Sequence, residues 1–257
     1  MLFRSVRGAK VRDALRWAGY LDACLDHVGD AEVLFLQHHW PVWGRDAIRA
    51  FIVAQRDAYK FIHDQTVRMI NAGFTGPEIA ARLEMPRSLR DHVSVHGYYG
   101  TVKHNARAVY QFYMGWFDAH PSSLDELTSE ERAARYAALV GGVDGLVSAA
   151  QRAYDAGDFR WAAEILEHAV HAEPDHASAK ELLARSFEQL GWAAESAIWR
   201  NFYLTGALEL RDGPPANGRS LESVQDMLQH APVERFLERM AAAIDGVARS
   251  EEHTSEL

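Results

Sequence analysis

The sequence predicts a mainly α-helical fold with a small α/β portion near its start. Apolar residues recur at three- and four-residue steps through most of the chain, which is the period of an amphipathic helix. Only Glu32–Gln37 has the length and composition of a strand. Gly157 and Gly191 lie 34 positions apart, which is the period of a helical-hairpin repeat. These observations favour stacked helix pairs after a short mixed region.

Bulk composition narrows the class of protein. The chain has 257 residues, of which 48% are hydrophobic, enough to bury a sizeable core in one large or two small domains. A formal net charge of −9 and the lack of a basic stripe argue against a nucleic-acid partner. No apolar run approaches the ~20 residues that cross a bilayer, so no membrane span is expected. The single cysteine, Cys24, excludes an internal disulfide.

The start of the chain is expected to contain a helix, a strand and a loop. The helical period extends over Val6–His27 and is broken by the glycine and aspartate that follow. Glu32–Gln37 has few polar residues, which predicts a strand buried on both faces. His38–Gly44 contains a proline and ends in a glycine, which predicts a loop at the strand's carboxyl end.

Helices are expected to make up the next part of the chain. Arg45–Asn71 is predicted to be one long helix, with Gly73 as its C-terminal cap. Thr75–Glu78 has a proline and a glutamate suited to a first turn, so a short helix is expected to begin there and to end near Met85. Tyr98–Phe117 is predicted to be a turn followed by an aromatic-rich helix.

The spacing of small and apolar residues in the remaining chain is typical of a tetratricopeptide-like repeat. The positions that match the second helix of such a repeat are Gly157, Ala162, Leu166, Ala169 and Pro174. Such helix pairs usually present a surface to another chain or domain, although an ordinary stack of helical hairpins with no partner fits the same pattern. Gly213–Gly218 has the composition of a linker. Leu221–Val247 is too short for a core of its own, so it is expected to begin a further domain.

A pair of histidines is the first candidate site. His38 and His39 follow the predicted strand, and a strand end fixes the backbone of a metal ligand. Adjacent side chains on an extended segment face opposite ways, so one of the two is expected to ligate. The alternative is a polar strand end packed under Trp40 and Trp43, since a zinc site needs at least three ligands.

A second candidate site lies in the aromatic-rich segment around Tyr99. His104, Asn105 and Arg107 are donors close together on one predicted helix, with His104 and Arg107 on the same face. Such donors can hold sulfate or phosphate, and a helix N-terminus adds free N–H groups. A buried polar network that joins two helices explains the same residues equally well.

Other patterns point away from self-contained catalysis. Arg200, Asn201 and Tyr203 could form a polar cluster, but aromatics at helical spacing are usually core. The chain lacks an H-x-H-x-D-H motif, paired C-x-x-C motifs, a Gly-rich phosphate loop and G-x-S-x-G. Nothing in it could generate a metal-bound hydroxide alone.

Four stretches together resemble the alkyl sulfatases of the metallo-β-lactamase superfamily, which hydrolyse dodecyl sulfate and related esters. They are Arg7-Gly-Ala-x-Val-Arg-Asp-Ala14; His38-His-Trp-Pro-x-Trp-Gly44; Tyr98-Tyr-Gly-Thr-x-x-His-Asn-x-Arg-Ala-Val-Tyr-Gln111 with Gly115-Trp-Phe117; and Gln189-Leu-Gly-x-x-Ala-Glu-Ser196 with Trp199-Arg-Asn-x-Tyr-Leu-x-Gly-Ala207. They cover nearly the whole chain in the family's order.

The resemblance implies three parts. Residues 6–88 would be the end of a metallo-β-lactamase-like catalytic domain that binds two zinc ions in the whole enzyme. Residues 89–213 would be the helical dimerisation domain, and residues 219–248 the start of a sterol-carrier-like domain that holds the alkyl chain. The family's first zinc motif would lie upstream of Arg7, so this chain alone is expected to bind zinc weakly and to have no sulfatase activity.

The resemblance also implies site residues and a partner. His38 or His39 would be a zinc ligand, with His38 preferred as the nearer to the strand. His104, Asn105 and Arg107, together with Tyr99, would bind the sulfate group of an alkyl sulfate substrate. A homodimer is expected through roughly Leu124–Leu210.

Two other functions are alternatives to an alkyl sulfatase fragment. A non-catalytic tetratricopeptide-like module would serve association alone. Another hydrolase of the same superfamily, such as a thioesterase or phosphodiesterase, fits the His-Trp-Pro-x-Trp-Gly and His-Asn-x-Arg stretches less well. The first five and last nine residues resemble translated sequencing adapters and are expected to lie outside the fold. The sequence leaves the cellular compartment open.

Overall fold

The computed structural model describes residues 10–215 and 232–240, and helices dominate them. The elements in chain order are α1 (Ala14–His27), β1 (Val33–Leu36), β2 (His39–Trp43), α2 (Arg45–Asn71), α3 (Gly76–Arg82), α4 (Arg87–Arg90), α5 (Val102–Met114), α6 (Ser129–Leu139), α7 (Val143–Asp155), α8 (Phe159–Ala172), α9 (Ala177–Trp192), α10 (Ala197–Asp212) and α11 (Val233–Met240). Short 3-10 turns lie at Val93–Val95 and Pro121–Ser123. The mainly α class is confirmed.

Helix α1 is shorter than its apolar period predicts. It begins at Ala14 because the Asp13 carboxylate accepts a hydrogen bond from the Arg16 N–H at 2.9 Å, the geometry of an N-cap. Residues 6–9 lie outside the described part of the chain. The buried face of α1 packs on α2 and α5 through Ala18, Tyr59 and Val109. The helix thus covers one side of the long α2.

The predicted buried strand is one half of an exposed hairpin. β1 and β2 pair in antiparallel fashion, so the prediction of a loop at His38–Gly44 was wrong for β2. Pro41 is tolerated there because it falls at the irregular part of the ladder, where its missing N–H is not needed. Burial on both faces was also wrong. Phe35 and Trp40 are 80% and 83% exposed, because the hairpin packs its inner face on α2 and no described element covers its outer face.

Helices α2 and α3 follow the sequence closely. The predicted bounds of α2 are confirmed, and Gly73 has a φ of 84°, which a residue with a side chain rarely adopts. Thr75 and Glu78 form a reciprocal capping box at the start of α3. Helix α3 ends at Arg82, three residues before the predicted end. Gly76 lies against the ring of Tyr110, which joins α3 to α5 at close range.

Helices α6–α10 stack as consecutive pairs. Their shared core is built of small and branched apolar side chains: Ala150, Ala162, Leu166, Ala169, Ala179 and Leu183. Gly157 turns the chain between α7 and α8 with a φ of 78°. Gly191 lets α10 approach α9 closely, since a Cβ there would lie 2.9 Å from Leu204 Cδ2. The two repeat glycines therefore have different structural roles.

Residues 10–212 belong to one compact unit, and a second unit begins at Gly213. The boundary predicted between residues 88 and 89 stays a prediction. In the second unit the structure describes Gly213–Pro215 and residues 232–240, which include α11. The rest of the predicted linker and of Leu221–Val247 lies outside the described residues. Among the described helices, none is long and apolar enough to cross a membrane.

Candidate functional site

The two adjacent histidines occupy different environments on the hairpin. His38 is an exposed turn residue, and its ring stacks on Tyr99 at 4.5 Å between centroids. His39 is the first residue of β2 and is half-buried, with its ring edge-on to Phe51 at 5.0 Å. His38 lies nearer the end of β1, as the preference for it assumed, but His39 belongs to the second strand, β2, which was not predicted. Which of the two ligates zinc stays a prediction.

The hydrogen bond of His39 defines its tautomer. Its Nδ1 lies 2.9 Å from the Trp40 carbonyl oxygen, which can only accept. The neutral ring therefore carries its proton on Nδ1 and keeps the Nε2 lone pair for another partner. Imidazoles that bind metals commonly donate their second nitrogen to a backbone carbonyl in this way.

The histidine pair alone does not fit a zinc ion. Within residues 10–215 and 232–240, no group of three or more His, Cys, Asp or Glu side chains is positioned to hold a metal. A zinc site needs at least three protein ligands. The chemistry that these residues offer is a single imidazole ligand beside a shallow cavity lined by His38, His39, Trp40, Val93 and Tyr98.

The predicted oxyanion cluster is divided among three places. His104 and Arg107 line one cavity, where their three-residue spacing on α5 predicted a shared face. Asn105 is fully buried in the protein interior and does not line that cavity. Tyr99 lies beside His38. The face of α5 that carries His104 and Arg107 is open to a cavity, whereas Asn105 lies on a buried face. An oxyanion site would need the open face, and a buried polar network would need the other.

A hydrogen bond from α10 orients His104. The Trp199 indole N–H donates to His104 Nδ1, and the two rings meet edge to face at 4.9 Å. Because an indole N–H can only donate, Nδ1 is the acceptor and the neutral His104 ring carries its proton on Nε2. His104 can therefore donate from Nε2 to an anion. The Thr101 hydroxyl, which caps α5, accepts from the His104 backbone N–H at 3.2 Å.

The cavity beside His104 has a volume of about 600 Å³. Helices α3, α5, α8, α9 and α10 contribute to its wall. Sequence reasoning missed Arg160 and Trp199, which come from α8 and α10, and it assigned Tyr203 to the core. Tyr203 lines the cavity instead, while Arg200 and Asn201 are exposed and do not. The spacing of Trp199, Phe202 and Tyr203 on α10 was the available signal.

A second polar chain joins α2 to α5, and sequence reasoning also missed it. His63 Nδ1 donates to Asp64 at 2.8 Å, and its Nε2 accepts from the Tyr113 hydroxyl at 2.7 Å. Burial alone raises the pKa of the Asp64 carboxyl, but hydrogen bonds from Lys60 and His63 outweigh it and lower that pKa. The chain of bonds holds the half-exposed Tyr113 against the buried His63.

Comparison with known proteins gives a consistent result. The family described as alkyl sulfatase dimerisation matches residues 75–213. The chain is 42% identical over 250 residues to a linear primary-alkylsulfatase of Pseudomonas sp., an alignment that covers 97% of this chain and 37% of the relative. It is 46% identical over 212 residues to the alkyl/aryl-sulfatase BDS1 of Saccharomyces cerevisiae, covering 82% of this chain and 33% of the relative.

A solved structure shares the fold. The stereoselective inverting sec-alkylsulfatase Pisa1 from Pseudomonas sp. superposes with a TM-score of 0.80 at 44% identity, over 83% of this chain and 34% of the other. The chain thus spans about a third of the length of these three relatives. The family match covers more than half of the chain, from α3 to the end of α10. The chain belongs to the alkyl sulfatase dimerisation family.

Proposed function

We propose that this chain is part of a zinc-dependent alkyl sulfatase that hydrolyses alkyl sulfate esters to an alcohol and sulfate. The observation that carries the proposal is its 38–46% identity, over most of its length, to proteins named alkylsulfatases. Within that enzyme the chain would contribute one zinc ligand, groups that bind sulfate, and the dimer interface.

The zinc ligand would come from the hairpin. His39 has its Nε2 lone pair available because Nδ1 donates to a backbone carbonyl, and this supports it as the ligand. His38, stacked on Tyr99, is the other candidate. Residues outside this chain would complete a site of two zinc ions. Zinc, when bound, would supply an activated water.

The sulfate group would be bound from α5. The Nε2–H of His104 and the guanidinium of Arg107 line the same cavity, and both can donate to a sulfate oxygen. Charge-assisted donors of this kind stabilise the negative charge that grows on a leaving sulfate. Asn105, buried behind them, would fix the position of α5. Tyr99 would hold the hairpin turn against the start of α5.

A second copy of the chain would cover exposed apolar residues of the helical region. Leu139 and Trp192 are 79% and 72% exposed, and Trp161 and Leu208 are also exposed. Apolar side chains exposed on several neighbouring helices are typical of an interaction surface. The expected partner is a second copy, because the match to the dimerisation family includes all four residues.

A hybrid enzyme tests the proposed function. The matched segment of the linear primary-alkylsulfatase from Pseudomonas sp. would be replaced by this chain. Zinc content is then measured for the hybrid and for its His38→Ala and His39→Ala variants. We expect one of the two substitutions to lower zinc content and dodecyl sulfate turnover together. His27 is an exposed histidine of α1 and not part of the hairpin, so His27→Ala is the matched control.

The same hybrid separates the proposal from a non-catalytic helical module. Unchanged zinc in both hairpin variants would contradict the ligand role.

Sedimentation of the 257-residue chain tests the dimer. We expect a dimer that Leu208→Glu weakens, since a charge at the interface would be desolvated. A monomer at high concentration would contradict the dimer interface.

A further inference from the structure

Three cationic side chains converge on the cavity beside His104. Lys103 and Arg107 come from α5, and Arg160 comes from α8. Among the described residues, none of the three has a carboxylate within 4.0 Å. Arg211, by contrast, is paired with Glu181 and Glu188. Three cations without ion pairs at one cavity leave a positive charge that a ligand can neutralise.

The one carboxylate in the cavity wall does not cancel this charge. Glu195 lies between α9 and α10, with its carboxylate against the backbone at Gly97. A side chain at Gly97 would displace this carboxylate, which is the flexible end of Glu195. Three cations and one carboxylate leave a formal charge of +2 on the wall, with His104 left out of the count.

The rest of the wall is apolar. Ala80 and Ala81 from α3 line one side, and the aromatic residues Trp199, Phe202 and Tyr203 of α10 line another. Phe202 is 58% exposed, which is unusual for a phenylalanine on a helix that packs against a neighbour. A cavity of about 600 Å³ is within the range of small-molecule sites, which combine an apolar lining with a few polar groups.

We propose that this cavity binds an amphipathic anion, with its sulfate-type head group at Lys103, Arg107 and Arg160 and its alkyl tail along the aromatic face of α10. The proposal rests on the proposed sulfatase function for the choice of head group, and it shares His104 and Arg107 with that function. It adds that the helical region itself selects the substrate, through Arg160 and Phe202. Binding requires neither zinc nor hydrolysis.

The experiment titrates the full 257-residue chain with hexane-, heptane- and octanesulfonate. These probes are not hydrolysed by sulfatases and are used below their micelle concentrations, in buffer with a metal chelator. Calorimetry gives the affinity. We expect affinity to rise about fourfold for each added methylene, the gain from burying one CH₂. We also expect affinity to fall as salt is added.

Two variants separate the head group from the tail. Arg160→Gln is expected to weaken binding of every probe by about three- to tenfold, the effect of one charge-assisted hydrogen bond at an exposed site. Phe202→Ala is expected to reduce the gain per methylene while leaving the salt dependence intact. Arg49→Gln and Phe35→Ala change an exposed cation and an exposed aromatic outside the cavity, and they are expected to bind like the wild type.

Each outcome bears on one proposal. Absence of binding, or binding that Arg160→Gln and Phe202→Ala leave unchanged, would overturn the cavity proposal, because it would indicate detergent adsorption elsewhere. Absence of binding together with an active zinc-dependent hybrid would refute the cavity and leave the sulfatase function standing. Binding that Arg160→Gln and Phe202→Ala weaken, together with an inactive hybrid, would support the cavity proposal and contradict the sulfatase function.

Discussion

Replacing Arg211 by glutamine is expected to lower the free energy of unfolding by about 1 kcal/mol at neutral pH. The guanidinium joins α10 to two carboxylates of α9. Its Nε and Nη2 donate to Glu181 at 2.8 and 2.9 Å, and its Nη1 donates to Glu188 at 2.5 Å. The three side chains are 34–53% exposed, so each pair counts at the scale of a surface ion pair, ~0.5 kcal/mol. Its place in the last turn of α10 adds ~0.3 kcal/mol.

The effect should depend on pH in a definite direction. Hydrogen bonds from Arg211 lower the pKa of Glu181 and of Glu188 below the ordinary 4.5. A carboxyl whose pKa is lowered by folding stabilises the protein fully above its unfolded pKa, and this stabilisation is lost as pH falls through the folded value. The wild type and Arg211→Gln should therefore differ at neutral pH and converge in acid.

Urea unfolding followed by circular dichroism measures this difference at several pH values from about 7 down to about 2. Added salt should reduce it, because the pairs are partly exposed. Arg49→Gln is the control, since Arg49 is an exposed cation on α2 without a described ion pair. Equal stability of the wild type and Arg211→Gln at neutral pH, or a difference as large in acid as at neutral pH, would refute the reasoning.

Three further substitutions probe the fold. Leu166→Ala removes a fully buried side chain and should cost about 3 kcal/mol in urea unfolding, whereas Leu15→Ala at an exposed position on α1 should cost little. Tyr113→Phe removes the donor to His63 and should cost ~1 kcal/mol. Burial raises the pKa of Tyr113 above 10.0, so the wild type should lose more stability than Tyr113→Phe as pH rises past that value. Gly157→Ala forces a φ of 78° on alanine and should cost about 1–2 kcal/mol in thermal or urea unfolding, although the surrounding space is open.

Local signals in the sequence predicted the helices well. The bounds of α2 follow from its period and from Gly73, and the start of α3 follows from a capping box. These features act within a few residues of chain. The exposure of the hairpin was not predicted, because it depends on contacts with distant parts of the chain and not on local signals. An apolar run predicts burial, but burial depends on what covers the segment, and no described element covers the side that holds Phe35 and Trp40.

The candidate sites were predicted in part. Helical spacing brought His104 and Arg107 to one cavity, but it could not show that Asn105, one position along α5, faces the interior. Arg160 lies on α8, more than fifty positions from Arg107, so only the packing of helices brings the two to one cavity. Spacing along one helix predicts a face, and tertiary packing decides what that face meets.

Turnover of dodecyl sulfate by the hybrid enzyme tests the central claim most directly. The hybrid contains this chain in place of the matched segment of the Pseudomonas sp. linear primary-alkylsulfatase. The account predicts zinc-dependent release of sulfate, strongly reduced by Arg107→Gln and unchanged by Arg49→Gln. A folded hybrid that binds zinc but releases no sulfate, or one whose turnover is insensitive to Arg107→Gln, would contradict it.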